Sequence, residues 1–151
     1  MEPMREELTG PPPDQAVQET VFRVAMRDMD QANIYYGTYY EWMDRSFSEF
    51  VGRSGHWLRE IFDTGFGVPI IESRCSYLAP VALDDVLRVR TWISRMGRTS
   101  FTMAHDFIRA GDEVRVARGS VIHVWIERKA MRPVPVPDWF RRLGPAPARS
   151  G

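Results

Sequence analysis

Cysteine is almost missing from this 151-residue chain: Cys75 stands alone, which excludes an internal disulfide and points to a reducing, cytoplasmic setting. Excess charge of either sign is also missing, because 20 Lys and Arg balance 20 Asp and Glu. No global field therefore draws the chain to nucleic acid or to an anionic membrane, and neither is an expected partner. Long apolar runs are absent, as is a charged-then-apolar leader, so neither a spanning helix nor a signal peptide is expected. Lysine is reduced to Lys129, and every other basic side chain is an arginine, whose planar fork suits phosphate. The three histidines, His56, His105 and His123, show neither metal-ligand spacing nor a Ser or Cys partner motif. Each reads as structural, and no metal or resident cofactor is expected.

What is present is 44% hydrophobic and 12% aromatic residues, in a chain the size of one domain with one core. Residues 1–18 hold the triple proline Pro11 to Pro13 and little apolar periodicity, and read as a flexible leader. A domain at 19–143 and a flexible tail at 144–151 follow. From Val21 to Met26 the alternation puts Phe22, Val24 and Met26 on one side of a strand. Arg27 to Gly37 is a loop dense in tyrosine. Thr38-Tyr39-Tyr40-Glu41 then fits a capping box, behind which Tyr39, Met43, Phe47, Phe50 and Val51 recur at helical spacing, with Trp42 widening the stripe. Gly52 and Gly55 break this helix, and His56 to Asp63 forms a shorter one.

Beyond Pro69 the pattern changes to four strands, Ile70 to Leu78, Val86 to Ser94, Ser100 to Arg109 and Val114 to Ile126, separated by Pro- and Gly-containing turns. Strand, long helix and four strands make an α+β layer arrangement, with one main helix on a five-stranded antiparallel sheet. Gly119, inside the last strand, marks a bulge or a close approach, with the long helix as candidate neighbour. Cys75, in phase with Ile71, Ser73 and Tyr77, reads as a buried inert thiol. One helix covers one sheet face only, so a homodimer or homotetramer is expected to cover the rest.

The junction between the first strand and the helix carries a resemblance. Arg27-Asp28-Met29-Asp30, followed by Tyr39-Tyr40-Glu41-Trp42-Met43-Asp44, resembles the Asp-containing turn and aromatic helix start of the hotdog-fold thioesterases, in the 4-hydroxybenzoyl-CoA thioesterase and YbgC-like group. Gly67-Val68-Pro69-Ile70-Ile71, Leu78-Ala79-Pro80 through Asp84-Asp85-Val86, and Arg98-Thr99-Ser100-Phe101 resemble that group's approaches to its later strands. The resemblance spans roughly Val21 to Phe140. Asn33 stands where relatives carry glycine, and the turn is one residue shorter than in many of them.

The resemblance implies a hotdog fold, a sheet wrapped around a central helix, and hydrolysis of an acyl- or aryl-CoA thioester. Asp30 matches the catalytic carboxylate, which in this group either attacks the thioester carbon or activates a water. Helix amides at Tyr36, Gly37 and Thr38 match the oxyanion stabilisers. Asn33, Tyr35, Tyr39 and Trp42 are expected to line the acyl pocket, and Arg98, Ser100 and Arg95 to meet coenzyme A phosphates. Asp28 is expected on the opposite side, solvated or paired with Arg27, as a reserve nucleophile. Glu41 ranks behind Asp30, because another thioesterase subgroup places its carboxylate on the central helix. An acyl-carrier-protein thioester is the alternative substrate, and a non-catalytic acyl-CoA-binding protein the alternative of another class.

Overall fold

The computed structural model describes residues 10–31 and 33–146. Parts of the expected leader and tail, residues 1–9 and 147–151, lie outside the described residues. Strand β1 is Gln18–Arg23, three residues earlier than the alternation from Val21 indicates. The stretch before it is also engaged: the Gln15 side-chain amide donates to the Ile93 carbonyl, and Ala16 packs on the core. After β1 the chain leaves the sheet sooner than expected. Met26–Asp28 forms a turn of 3-10 helix, which leaves Met26 exposed while Phe22 and Val24 are buried.

Helix α1, Tyr36–Arg53, is followed by the short helix α2, Leu58–Asp63. Then come β2, Phe66–Gly67, β3, Ile70–Tyr77, β4, Val86–Met96, β5, Ser100–Arg109, and β6, Val114–Val124. The expected last strand breaks at Trp125, whose N–H donates to the Thr99 carbonyl at 2.7 Å. Beyond it, β7, Ile126–Glu127, pairs with β2 and with β8, Arg132–Pro133, in a second small sheet. Helix α3, Asp138–Arg141, ends the described fold.

The main sheet is antiparallel in the order β1-β4-β5-β6-β3, leaving β1 and β3 at its edges. Its inner face curves around α1, which touches every strand. Trp42 stacks on Phe22 of β1, and Phe47 on Phe101 of β5 and His123 of β6. Tyr39 meets Tyr77 of β3 edge-on. The closest approach is at Gly119 of β6, where a Cβ would lie 2.0 Å from Met43 Sδ. Gly119 is therefore a close-approach residue, and the bulges fall elsewhere, as between Ile93 and Arg95.

Thr38 does not open α1. The helix starts two residues earlier with Tyr35 as N-cap, because the Tyr35 N–H is held by the Asp28 carbonyl at 2.9 Å. The Thr38 hydroxyl donates to that same carbonyl at 3.3 Å, and Glu41 turns outward to Arg27 at 3.0 Å. The capping box gives way because a backbone hairpin already fixes the chain's approach to the helix. No helix among the described residues is long and apolar enough to cross a membrane.

Two histidines lie in the core. Burial pushes His105 down to about 3, with His123 and Arg118 adding repulsion, and pushes His123 down to about 4. The unfolded chain titrates these rings near 6.5, so on acidification it takes up protons that the folded state refuses. Stability is accordingly full above about pH 6.5 and falls as pH drops toward 4. Urea unfolding at pH 7.5 and at pH 5 is expected to show the unfolding constant rising by on the order of tenfold per histidine. An unchanged midpoint would contradict this account.

Candidate active site

The junction between β1 and α1 is a hairpin in miniature. The Tyr35 N–H donates to the Asp28 carbonyl at 2.9 Å, Met29 bridges Ile34, and the Asp30 N–H donates to the Asn33 carbonyl at 2.8 Å. Asp30 Oδ1 accepts the Asn33 N–H at 3.0 Å, closing an Asx-type turn of the kind Asp and Asn favour. The Asn33 side chain in turn accepts the Ile34 N–H at 2.8 Å. Asp30 is thus held on a hydrogen-bonded, exposed turn just ahead of the helix N-terminus.

Asp28 has a different environment from the one expected. It is buried, and its carboxylate accepts the Ala25 N–H at 2.8 Å, capping the 3-10 turn. Arg27 is committed to Glu41 instead. The reason is the turn itself, which swings Asp28 inward where a continued strand would have pointed it to solvent.

Of the three amides expected at the oxyanion position, Thr38's is taken by the Tyr35 carbonyl at 2.9 Å. Those of Tyr36 and Gly37 stand in the first turn, where a helix offers no carbonyl partner, and they meet no acceptor among the described residues. The positive end of the helix dipole adds to their pull on an anion. The Tyr35 ring lies over Gly37, 2.5 Å from where a Cβ would sit, and 4.9 Å from the Tyr36 ring. A side chain at residue 37 would push that ring off the helix end.

A cleft of about 500 Å³ opens beside this junction. Asn33, Tyr36 and Tyr39 line it, as does Ile34. Its opposite wall, Tyr77 to Pro80, comes from the end of β3 and the segment after it, and sequence reasoning did not place these residues there. The signal for it in the sequence is Tyr77's alternation with Cys75, which by periodicity alone is a core phase. Tyr35, half exposed, and Trp42, buried against Phe22, Tyr39 and Phe107, are not on the cleft wall. Trp42 corrects the expected pocket: it sits on the sheet-facing side of α1, where packing against β1 and β5 claims it. Burial pushes the Tyr39 hydroxyl up to about 12 and the half-buried Cys75 thiol also to about 12, so both stay protonated at neutral pH.

Arg95, Arg98 and Ser100 are not brought to this cleft. β1 pairs with β4 so that Arg23 faces Val86, which puts the Asp30 turn at the Val86 end of β4. The three candidates sit at the other end, around the β4-β5 hairpin, the length of an eleven-residue strand away, roughly 33 Å. Arg141 pins that hairpin by donating to the carbonyls of Gly97 and Arg98 at 3.1 and 3.0 Å.

Comparison with known proteins agrees with this geometry. Residues 24–143 match the thioesterase-like superfamily. A 4-hydroxybenzoyl-CoA thioesterase of Pseudomonas sp. (strain CBS-3) is 28% identical over 130 residues, covering 80% of this chain and 92% of its own length. A 1,4-dihydroxy-2-naphthoyl-CoA hydrolase of Prochlorococcus marinus (strain MIT 9515) is 25% identical over 127 residues, covering 80% of this chain and 83% of its own. The solved structure of a gentisyl-coenzyme A thioesterase superposes with a TM-score of 0.75 at 32% identity, over 82% of this chain and 99% of that one. The architecture shared with it is the hotdog fold.

Proposed function

We propose, from the premise that this chain belongs to the thioesterase-like superfamily and is a thioester hydrolase, that its substrate is the coenzyme A thioester of an aromatic acid, cleaved with Asp30 as the catalytic carboxylate. The observation that carries this reading is the hairpin, which holds an exposed carboxylate on the turn leading into a helix start whose Tyr36 and Gly37 amides meet no acceptor among the described residues, next to Asn33 of a tyrosine-walled cleft. The acyl carbonyl oxygen would sit against those two amides, which stabilise the charge that develops on it. The Asp30 carboxylate then either attacks the carbonyl carbon, forming a mixed anhydride that water afterwards cleaves to the free acid and Asp30, or takes a proton from a water that attacks the carbon and passes that proton to the leaving sulfur. The C–S bond breaks, and the thiolate leaves and is protonated. The relatives named above act on 4-hydroxybenzoyl, 1,4-dihydroxy-2-naphthoyl and gentisyl thioesters, and this common aromatic character supports the substrate class.

The assembly belongs to the same proposal. β3 is an open edge with exposed Ile70, Ile71 and Tyr77, a surface that invites pairing. Two copies joined antiparallel along β3 would set the Ile70 end of one against the Tyr77 end of the other. The Ile70 end is also the end of the β4-β5 hairpin, since Ile70 pairs with His123 and His123 with Phe101. A partner's hairpin arginines would thereby approach the Asp30 turn, bringing together the groups that one copy holds apart. We place the dimer in the cytoplasm.

The test is release of free thiol from a panel of benzoyl, hydroxybenzoyl, phenylacetyl and aliphatic CoA esters. Turnover greatest on the aromatic members is expected. Inertness toward all of them would move the substrate to an acyl-carrier-protein thioester, and preference for aliphatic chains would overturn the aromatic assignment.

A further inference from the structure

One to two turns along α1 from the cleft lies a second, smaller cavity of about 210 Å³, set between the helix and the inner sheet face and open to solvent past Ile70, Ser73 and Asp44. Met43 and Phe47 from the helix and Val121 from β6 give it apolar walls, and Tyr40, Ser73 and the exposed Asp44 add polar groups toward its solvent side. Into this setting the fold brings two imidazoles, His105 of β5 and His123 of β6, exposed by 0% and 3%. Each ring is anchored through Nδ1, to the Thr91 hydroxyl at 3.0 Å for His105 and to the Val68 carbonyl at 2.9 Å for His123. In each ring Nε2 has no partner among the described residues. A polar atom so deeply buried is seldom left unpaired without a use.

The anchoring fixes what His123 can offer. A carbonyl only accepts, so Nδ1 of His123 carries the proton, and the neutral ring presents a bare lone pair at Nε2. Stacking against Phe47, with centroids 4.2 Å apart, and against Phe101 at 5.0 Å holds the ring in that orientation. The complementary ligand is a hydrogen-bond donor on an apolar, flat body. A carboxylate would meet lone pair with lone pair, and an alkyl chain would leave Nε2 unsatisfied. Size agrees, since an apolar protein cavity of about 150 Å³ takes up benzene. The cavity and the cleft share their two walls: Tyr39 and Tyr77 line the cleft, Tyr40 and Ser73 the cavity. One to two helical turns, about 5 to 11 Å, separate them, the span from an aryl carbonyl across its ring.

We propose that this cavity binds a hydroxylated aromatic ring, with the ring hydroxyl donating to His123 Nε2 and His105 Nε2 as the second polar contact. As a subsite for the acyl group it rests on the aromatic-thioester reading above, but its test does not depend on activity. Phenol and toluene, alike in shape, are titrated into the protein by calorimetry and by following the His123 Nε2 resonance in ¹⁵N NMR. Phenol is expected to bind about tenfold more tightly than toluene and to move the Nε2 resonance, which toluene leaves in place. In His123→Phe the preference is expected to vanish while toluene binding, which reports an intact cavity, persists. Equal binding of the two by the wild type, an unmoved Nε2 resonance, or a phenol preference that survives in His123→Phe would each overturn the proposal. If phenol behaves as expected while benzoyl and hydroxybenzoyl CoA esters are both inert, the cavity assignment stands and the substrate reading fails. If both esters turn over equally and phenol shows no preference, the reverse holds.

Discussion

Asp30→Asn is expected to lower turnover of the best CoA ester by at least about a hundredfold, nearly 3 kcal/mol of barrier, with little change in stability. The substitution is close to isosteric. The amide oxygen still accepts the Asn33 N–H that Asp30 Oδ1 accepts at 3.0 Å, so the turn, its backbone bond to the Asn33 carbonyl and the helix start remain in place. What is lost is the negative charge, and both routes to hydrolysis need it, whether as nucleophile or as proton acceptor. Glu41→Gln is the matched control. Glu41 lies on the outside of α1 in an exposed pair with Arg27, an interaction that contributes little in water, so turnover is expected to stay within about threefold. Thermal melts run beside the thiol-release assay establish that both variants fold. A folded Asp30→Asn enzyme with near wild-type turnover would remove Asp30 from the reaction, and a hundredfold loss in Glu41→Gln would transfer the role to it.

The elements of this fold are legible in the sequence where local periodicity and tertiary packing ask for the same thing. The stripe Tyr39, Met43, Phe47, Phe50 and Val51 predicts a helix with one buried face, and all five are buried. The β5 bounds, Ser100–Arg109, agree residue for residue, because the turns on either side contain glycine and leave no latitude. Errors arise where a non-local contact overrides a local preference. Thr38 has the chemistry of a cap, yet the Asp28 carbonyl takes its hydroxyl and the helix begins at Tyr36. Asp28 reads as solvated by alternation, yet the 3-10 turn buries it.

The site divides in the same way. Its hairpin is local, so the Asp30 turn and the helix amides are visible as a contiguous motif. The second wall of the cleft, Tyr77 to Pro80, is some forty residues distant in sequence and becomes adjacent only because β3 crosses the sheet to pair with β6. The histidine cavity was hidden for a related reason. His105 and His123 look like unrelated core residues until the β5-β6 register, in which His105 faces Gly119, brings both rings to one side of the sheet beneath α1.

The same register makes Gly119→Val a damaging substitution in the core. α1 lies so close to β6 that a Cβ at residue 119 would meet Met43 Sδ at 2.0 Å, well inside van der Waals contact. Met43 is 2% exposed and packed in the cluster that includes Tyr39, Trp42 and Phe107, and the space open to its flexible end is the histidine cavity it borders. Three added carbons must lift the helix from the sheet or drive the Met43 side chain toward that cavity, and overpacking of this kind costs about 1 to 3 kcal/mol. Strand propensity, which favours valine over glycine by up to about 1 kcal/mol, opposes the loss without cancelling it. A valine variant that melts at or above the wild-type temperature would disprove the close approach. The cause can be isolated with a second change. Met43→Ala alone leaves a cavity and is destabilising by about 2 to 5 kcal/mol, but combined with Gly119→Val it frees the volume that valine needs. The double variant is expected to lie clearly above the sum of the two single losses, by about 1 kcal/mol or more of coupling in urea unfolding. Strict additivity would place the strain of Gly119→Val somewhere other than under the helix.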